Sequence, residues 1–248
     1  MHKFSCFILV ALFLAHCQTV PVELEKSERD PELIGGFFEG DMDIDIKRNG
    51  LIDPTKRWPN GVVRYRIDQA FNVNRSIYIL KAMQIIEEKS CIRFLHATDL
   101  AKAFIRIKGE PNGCNAKVGY SDTEQFLNLE LDFLDQGCFR IGSIMHELLH
   151  ALGFYHQHSS SDRDNYVKIN WANVEDGRDI NFVKYGANIV TNFGVPYDYG
   201  SVMHYRETAF SKNGEKTIVA LKSTDATMGQ RLALSDSDVL RLNKMYNC

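Results

Sequence analysis

Apolar positions along the chain fall into a few regular patterns separated by irregular stretches. Phe4 to Ala15 is an almost unbroken apolar run behind the positive start Met1-His2-Lys3, and Ala15-His16-Cys17 places small residues where a signal peptidase reads. A run of about a dozen residues falls short of the ~20 that a membrane-spanning helix needs. Residues 1–17 therefore read as a secretory signal peptide. Val62-Val63-Arg64-Tyr65-Arg66-Ile67 is rich in β-branched and aromatic residues and predicts a strand. Between Ser76 and Lys89, Ile77, Leu80, Met83 and Ile86 stand at helical spacing. Ile92 to Leu95 and Ala103 to Ile107 predict further strands. From about residue 157 onward Gly, Asn and Ser become frequent and long periodic segments are few, so the second half is expected to be dominated by loops. The pattern as a whole is α+β, with no internal repeat of the kind that builds solenoids.

Composition narrows the function classes. Hydrophobic residues at 44% and charged residues at 25% are ordinary for a folded protein, and a net charge of −3 is too small to steer a polyanion. Neither a nucleic acid nor a membrane is expected as a partner. Charge is unevenly spread, however. Residues 18–48 carry nine acids against four bases and end on the dibasic pair Lys47-Arg48, beyond which Trp58-Pro59-Asn60-Gly61 supplies turn chemistry. This stretch reads as a propeptide, and 49–248 as the mature domain. Of the six cysteines, Cys6 and Cys17 fall in the signal segment. Cys91, Cys114, Cys138 and Cys248 remain, an even number that in an oxidising compartment predicts two disulfides, with three pairings open. Asn74-Arg75-Ser76 is an acceptor sequence for one N-glycan at Asn74.

The chemistry lies in His146-Glu147-Leu148-Leu149-His150-Ala151-Leu152-Gly153-Phe154-Tyr155-His156. On a helix, His146 and His150 stand on one face about one turn apart, the spacing at which two imidazoles share a tetrahedral zinc ion. Glu147 lies beside such an ion without binding it, placed to take a proton from an attacking water and return it to a leaving amine. A straight helix would carry His156 too far along its axis to reach the same ion. Gly153 removes that difficulty, because glycine takes the left-handed conformation that ends a helix and turns the chain back. The full spacing demands a helix stop and a third ligand together, so it is far more specific than its first five residues. His158, two residues further on, reads as a structural histidine, since a catalytic zinc keeps one position open.

This extended motif, followed by Tyr197-Asp198-Tyr199-Gly200-Ser201-Val202-Met203-His204-Tyr205, resembles the metzincins and in detail the astacin family. Trp58-Pro59-Asn60-Gly61-Val62-Val63, Asp162-Arg163-Asp164-Asn165-Tyr166-Val167, Ala209-Phe210-Ser211-Lys212-Asn213-Gly214 and the ending Gly229-Gln230-Arg231 to Cys248 are similar to that family as well. The resemblance runs from about residue 37 to the end. It implies a two-lobed catalytic domain, with a twisted mixed sheet and two helices above a cleft. The activity implied is that of a secreted, extracellular, monomeric endopeptidase with one Zn2+ per chain, acting on protein or peptide substrates. In that reading His146, His150 and His156 are the zinc ligands, Glu147 is the catalytic base and Met203 forms the floor under the metal. Tyr205 is a ligand at rest that swings to hydrogen-bond the oxyanion during the reaction. Phe38-Glu39-Gly40-Asp41 resembles the family's latency motif, which makes Asp41 a zinc ligand in the latent form and the propeptide the chain's own inhibitor; Asp43 and Asp45 compete for that role only in another register. The resemblance also selects the pairing Cys91 with Cys248 and Cys114 with Cys138. Two positions depart from the pattern. Gln157 stands where the family has the glutamate that meets the new amino terminus, here expected to be Asn49, and Ser160-Ser161 replaces Arg and Pro.

Overall fold

The computed structural model describes residues 30–44 and 52–248. The signal segment, the acidic stretch before Asp30, Asp45, and Lys47-Arg48 with Asn49 lie outside the described residues. The strand predicted over 62–67 forms as β2 (Val62–Ile67), after the short β1 (Met42–Asp43). The next two predicted strands are shifted by one residue, as β3 (Arg93–His96) and β4 (Phe104–Lys108), and β5 (Cys114–Lys117) and β6 (Glu124–Leu129) complete the sheet. Its order is β1-β5-β6-β4-β2-β3. Only the β5–β6 pair is antiparallel, so β5 forms one rim, and β1, contributed by the acidic segment, adds to that rim in parallel register with Met42 opposite Ala116. A second, two-stranded sheet pairs β7 (Val167–Ile169) with β8 (Ile218–Ala220).

Helix α1 (Val73–Lys89) begins three residues before the predicted start, because the Asn72 side chain accepts the Arg75 N–H and caps it. Its buried face also differs from the four positions singled out in the sequence. Met83 and Ile86 are buried, but Ile77 and Leu80 are 54% and 43% exposed, and Ile79 and Ala82 take their places. The physical reason is the period. Steps of three residues drift around a helix of 3.6 residues per turn, whereas 79, 82, 83 and 86 stay on one stripe.

A helix that the loop-rich expectation omitted closes the second half, α3 (Asp236–Tyr246), and stands in addition to the two helices expected above the cleft. A capping box starts it: Ser235 Oγ accepts the Asp238 N–H while the Asp238 carboxylate accepts the Ser235 N–H. The larger of two apolar clusters draws on both halves, taking Ile79 and Ile86 from α1, Ile105, Ile107 and Leu127 from the sheet, and Leu242 and Met245 from α3, while a smaller one in the second half gathers Val167, Phe182, Tyr205 and Ile218. Disulfides join Cys91 to Cys248 and Cys114 to Cys138, with Cα atoms 5.3 and 5.6 Å apart. The first ties the last residue to the segment behind α1. The second ties the rim strand β5 to the turn that leads into the central helix.

The phase of α1 is directly testable. Ile79→Ala removes a fully buried side chain and is expected to lower stability to chemical denaturation by about 2–5 kcal/mol, while Ile77→Ala is expected to change it by no more than ~0.5 kcal/mol. Equal losses would mean that the helix is rotated.

Candidate metal centre

Helix α2 (Ile141–Ala151) is buried on nearly every side, with every residue from Gly142 to Ala151 buried. A helix apolar all round is one placed inside a molecule, and here the only polar groups it carries inward are Ser143, His146, Glu147 and His150. Beyond its end, Gly153 takes a φ of +105° and donates to the His150 carbonyl. The turn does two things. It brings His156 back beside α2, and it presents the Phe154 carbonyl to His150 Nδ1 at 2.7 Å.

Each of the three imidazoles is oriented through Nδ1. His146 Nδ1 donates to the Val202 carbonyl at 2.8 Å, His150 Nδ1 to Phe154, and His156 Nδ1 to the Glu39 carboxylate at 2.7 Å. A proton held on Nδ1 leaves the Nε2 lone pair free, the tautomer that binds a metal. All three Nε2 atoms converge on Asp41, at 3.1 Å for His146, 3.5 Å for His150 and 3.3 Å for His156. His146 and His156 Nε2 are themselves 3.3 Å apart. A tetrahedron with metal–nitrogen bonds of about 2.0–2.1 Å has edges of about 3.3 Å, so these four groups stand where the corners of a zinc site belong. Asp41 Oδ1 and His150 Nε2 are buried with no hydrogen-bond partner, as metal-ligating atoms would be. Among the described residues this is the one group of three or more His, Cys, Asp or Glu that could hold an ion. Asp43, the rival in another register, lies in β1 opposite Lys117.

The charges agree with the geometry at His146, whereas His156, facing Asp41 and Glu39, is pushed up to about 9 against the effect of burial and keeps its second proton until a metal displaces it. Burial lowers the His146 pKa to about 4, so the ring is neutral and able to ligate. Burial alone would raise Asp41, but the adjacent His156 and His150 outweigh it and hold the carboxyl well below its ordinary range. Glu147 is different. It is fully buried with both carboxylate oxygens unpartnered, and burial followed by the Asp41 charge pushes its pKa well above the carboxylate range. A carboxyl that prefers its proton is matched to proton transfer.

Support for the ligands comes from further away. Asp238 of α3 accepts from Ser201 Oγ and from Val202 N, which holds in place the residue whose carbonyl orients His146. The next carbonyl, that of Met203, accepts from Gln157 N at 2.8 Å, and Met203 itself is buried. The Tyr205 ring stacks on His158 with centroids 3.8 Å apart, and its hydroxyl donates to the Glu39 carbonyl. His158 is buried, donates through Nε2 to the Asn181 carbonyl at 3.0 Å, and takes no part in the metal group.

Two contacts of the acidic segment have no counterpart in the sequence pattern. Glu39, at a φ of +49°, buries its carboxylate against His156, Ser159 Oγ at 2.9 Å and the Tyr185 hydroxyl at 3.0 Å. Gly40 follows at a φ of +89°, where a Cβ would run into the Glu32 carbonyl. Glu32 in turn forms a buried ion pair with Arg231, its two oxygens 2.8 and 2.7 Å from Arg231 Nε. The partners lie 117 to 199 residues apart in the chain, and no local pattern announces them.

Residues 50–247 match the sequence model of the Astacin peptidase family. The chain is 46% identical over 235 residues to seminal metalloprotease 1 of Drosophila melanogaster, covering 92% of this chain and 93% of that protein. It is 40% identical over 222 residues to the low choriolytic enzyme of Oryzias latipes, covering 86% and 78%. Among solved structures, the high choriolytic enzyme 1 of Oryzias latipes, a hatching enzyme zinc-protease, superposes with a TM-score of 0.70 at 36% identity, covering 77% of this chain and 93% of that one.

The chain belongs to the astacin family. It is a zinc metalloendopeptidase of α+β fold, and His146, His150, His156 and Asp41 form a group able to bind one metal ion. Purified full-length protein is expected to hold one zinc per chain after dialysis, measured by elemental analysis, whereas His150→Ala is expected to hold little or none while Glu147→Gln keeps it. Zinc retained in full by His150→Ala would remove that residue from the ligand set.

Proposed function

We propose that this protein is a secreted endopeptidase held latent by residues 18–48 and released by cleavage after Arg48. The observation that carries the reading is Asp41, a buried carboxylate at the fourth corner of the imidazole group, where a catalytic zinc site would otherwise admit water. Secretion is supported by the apolar leader and by two disulfides, which belong to oxidising compartments. No helix among the described residues is long and apolar enough to cross a membrane. Asn74, exposed in the first turn of α1, suits a glycan.

Zinc, when bound, supplies a Lewis acid that polarises a substrate carbonyl and makes water more acidic. The protein's own groups do the rest. β1 occupies the β5 rim in the latent chain, and with it gone an extended substrate adds to the same edge through main-chain hydrogen bonds. Glu147 Oε takes the proton of the attacking water and delivers it to the departing amine nitrogen. The Tyr205 hydroxyl, which already donates to a peptide carbonyl, that of Glu39, is the donor for the negative charge developing on the scissile carbonyl oxygen. In the processed enzyme, Glu147→Gln is expected to abolish peptide hydrolysis with zinc content unchanged. Tyr205→Phe is expected to lower kcat by about 10²-fold with little change in KM. Full activity in either variant, read with a fluorogenic peptide, would overturn its assigned role.

Gln157 bears on maturation. It lines a small cavity of about 40 Å3 with Ser160, Asn192, Asp238 and Arg241. An amide there offers a hydrogen bond but no charge to an incoming ammonium, so ordering of the site is only loosely coupled to cleavage. Gln157→Glu is expected to raise the melting temperature of the processed enzyme relative to wild type. No difference in melting temperature or activity would remove the basis for this view.

A further inference from the structure

The segment from Tyr197 to Tyr205 carries a tether that the metal group does not use. His204 lies between Met203 and Tyr205 with its ring fully buried. Its Nδ1 meets the Tyr205 carbonyl at 2.6 Å and its Nε2 meets the Tyr197 hydroxyl at 2.7 Å. Both partners are neutral, so the buried ring carries one proton. A carbonyl can only accept, which places that proton on Nδ1 and makes Nε2 an acceptor. The direction of the tether follows. The Tyr197 hydroxyl donates to His204, and His204 donates to the Tyr205 carbonyl. Without the first hydrogen bond the ring is free to leave that tautomer and that orientation, and the second is weakened with it.

The outer end of the tether is fixed by packing. The Tyr197 ring stacks on Tyr166 with centroids 4.7 Å apart and planes 8° from parallel, and the Lys222 ammonium lies 3.9 Å from the Tyr166 centroid. Tyr166 is in turn tied to the second sheet, since its carbonyl accepts from Leu221 N at 2.7 Å just beyond β8. The inner end is the backbone of the tyrosine that faces the metal group. In the latent chain the Tyr205 hydroxyl donates to the Glu39 carbonyl, and in the proposed maturation it would lose that partner. Neither hydrogen bond of the tether involves the acidic segment. Tyr205 would then be released at its hydroxyl and still held at its carbonyl. A side chain that presents its O–H to a developing oxyanion needs such a fixed base, because an error in the backbone is carried to the hydroxyl at the far end of the ring.

We propose that Tyr197, acting through His204, is a positioning residue for Tyr205 and sets the backbone from which the Tyr205 hydroxyl reaches the oxyanion. The inference rests on the protease reading above. It gives one turn of chain two separate duties, since the Val202 carbonyl orients His146 while His204 orients Tyr205.

The test is a double-mutant cycle on the processed enzyme, made of wild type, Tyr197→Phe, Tyr205→Phe and the double variant, with zinc content and melting temperature measured on every sample. Phe at 197 keeps a ring to stack on Tyr166 and removes only the hydroxyl. Tyr197→Phe is expected to lower kcat about tenfold, the scale of one hydrogen bond, with KM and zinc content unchanged. In the Tyr205→Phe background the same change is expected to cost less than about twofold, because the hydroxyl it positions is already gone. His204→Asn breaks the tether at its middle and is expected to show the same dependence on Tyr205, so it carries the test if Tyr197→Phe folds poorly. A tenfold loss in both backgrounds would overturn the proposal, since Tyr197 would then act independently of Tyr205. An unchanged kcat would overturn it too, as would a loss that comes with reduced zinc, the mark of damage to the metal group. Failure of wild type to cleave any peptide would overturn the protease reading and the inference with it.

Discussion

Three imidazoles and a carboxylate meet in the interior with almost no exposure to water, and the rest of the molecule is arranged around that constraint. Burying Asp41 is costly unless positive charge faces it. A metal ion bound by the converging Nε2 atoms of His146, His150 and His156 would answer that need. A cluster of this kind has no tolerance for a misplaced ring, because a tetrahedral ion fixes all its distances at once. That is why the helix bearing two ligands is enclosed on almost all sides and why its end is governed by a glycine.

The three ligands are held in unequal ways. His146 is oriented by a carbonyl that Asp238 of α3 secures, and His150 by the carbonyl of Phe154 in the turn after Gly153. Both ties belong to the domain itself. His156 is oriented by Glu39, which belongs to the acidic segment and, in the proposed maturation, would depart with it. Tyr205 shares that dependence, since its hydroxyl is engaged by the same residue. Latency in this account is therefore more than one blocked position. One short segment covers the rim strand through β1, completes the metal group through Asp41, and holds a ligand and the tyrosine through Glu39. The Glu32–Arg231 pair fastens its far end within the domain.

Much of the site is legible in the sequence, because its key spacing is local. His146, Glu147 and His150 lie within one helical turn and a fraction, and Gly153 marks where the chain must return; residue types and intervals alone therefore specify the arrangement. Asp41 is legible only through family resemblance, since a single aspartate in an acidic stretch carries no geometric signal. Glu39, Glu32 and Asp238 are not legible at all as parts of the site. Their partners are distant in the chain, and only the folded arrangement brings them together. The fold shows the same division. β2 is readable from its β-branched run, whereas steps of three point to the wrong face of α1. Helix α3 gives a weak signal because its buried side includes Asp238 and Arg241 beside Leu242 and Met245, so polar residues interrupt its apolar stripe.

The most direct test of the account compares peptide hydrolysis by the full-length chain before and after cleavage following Arg48, with zinc measured in both samples. The account predicts one zinc per chain in each, no hydrolysis before cleavage, and hydrolysis after it. Equal hydrolysis by the uncleaved, zinc-loaded chain would show that Asp41 does not occupy the metal and would contradict the account.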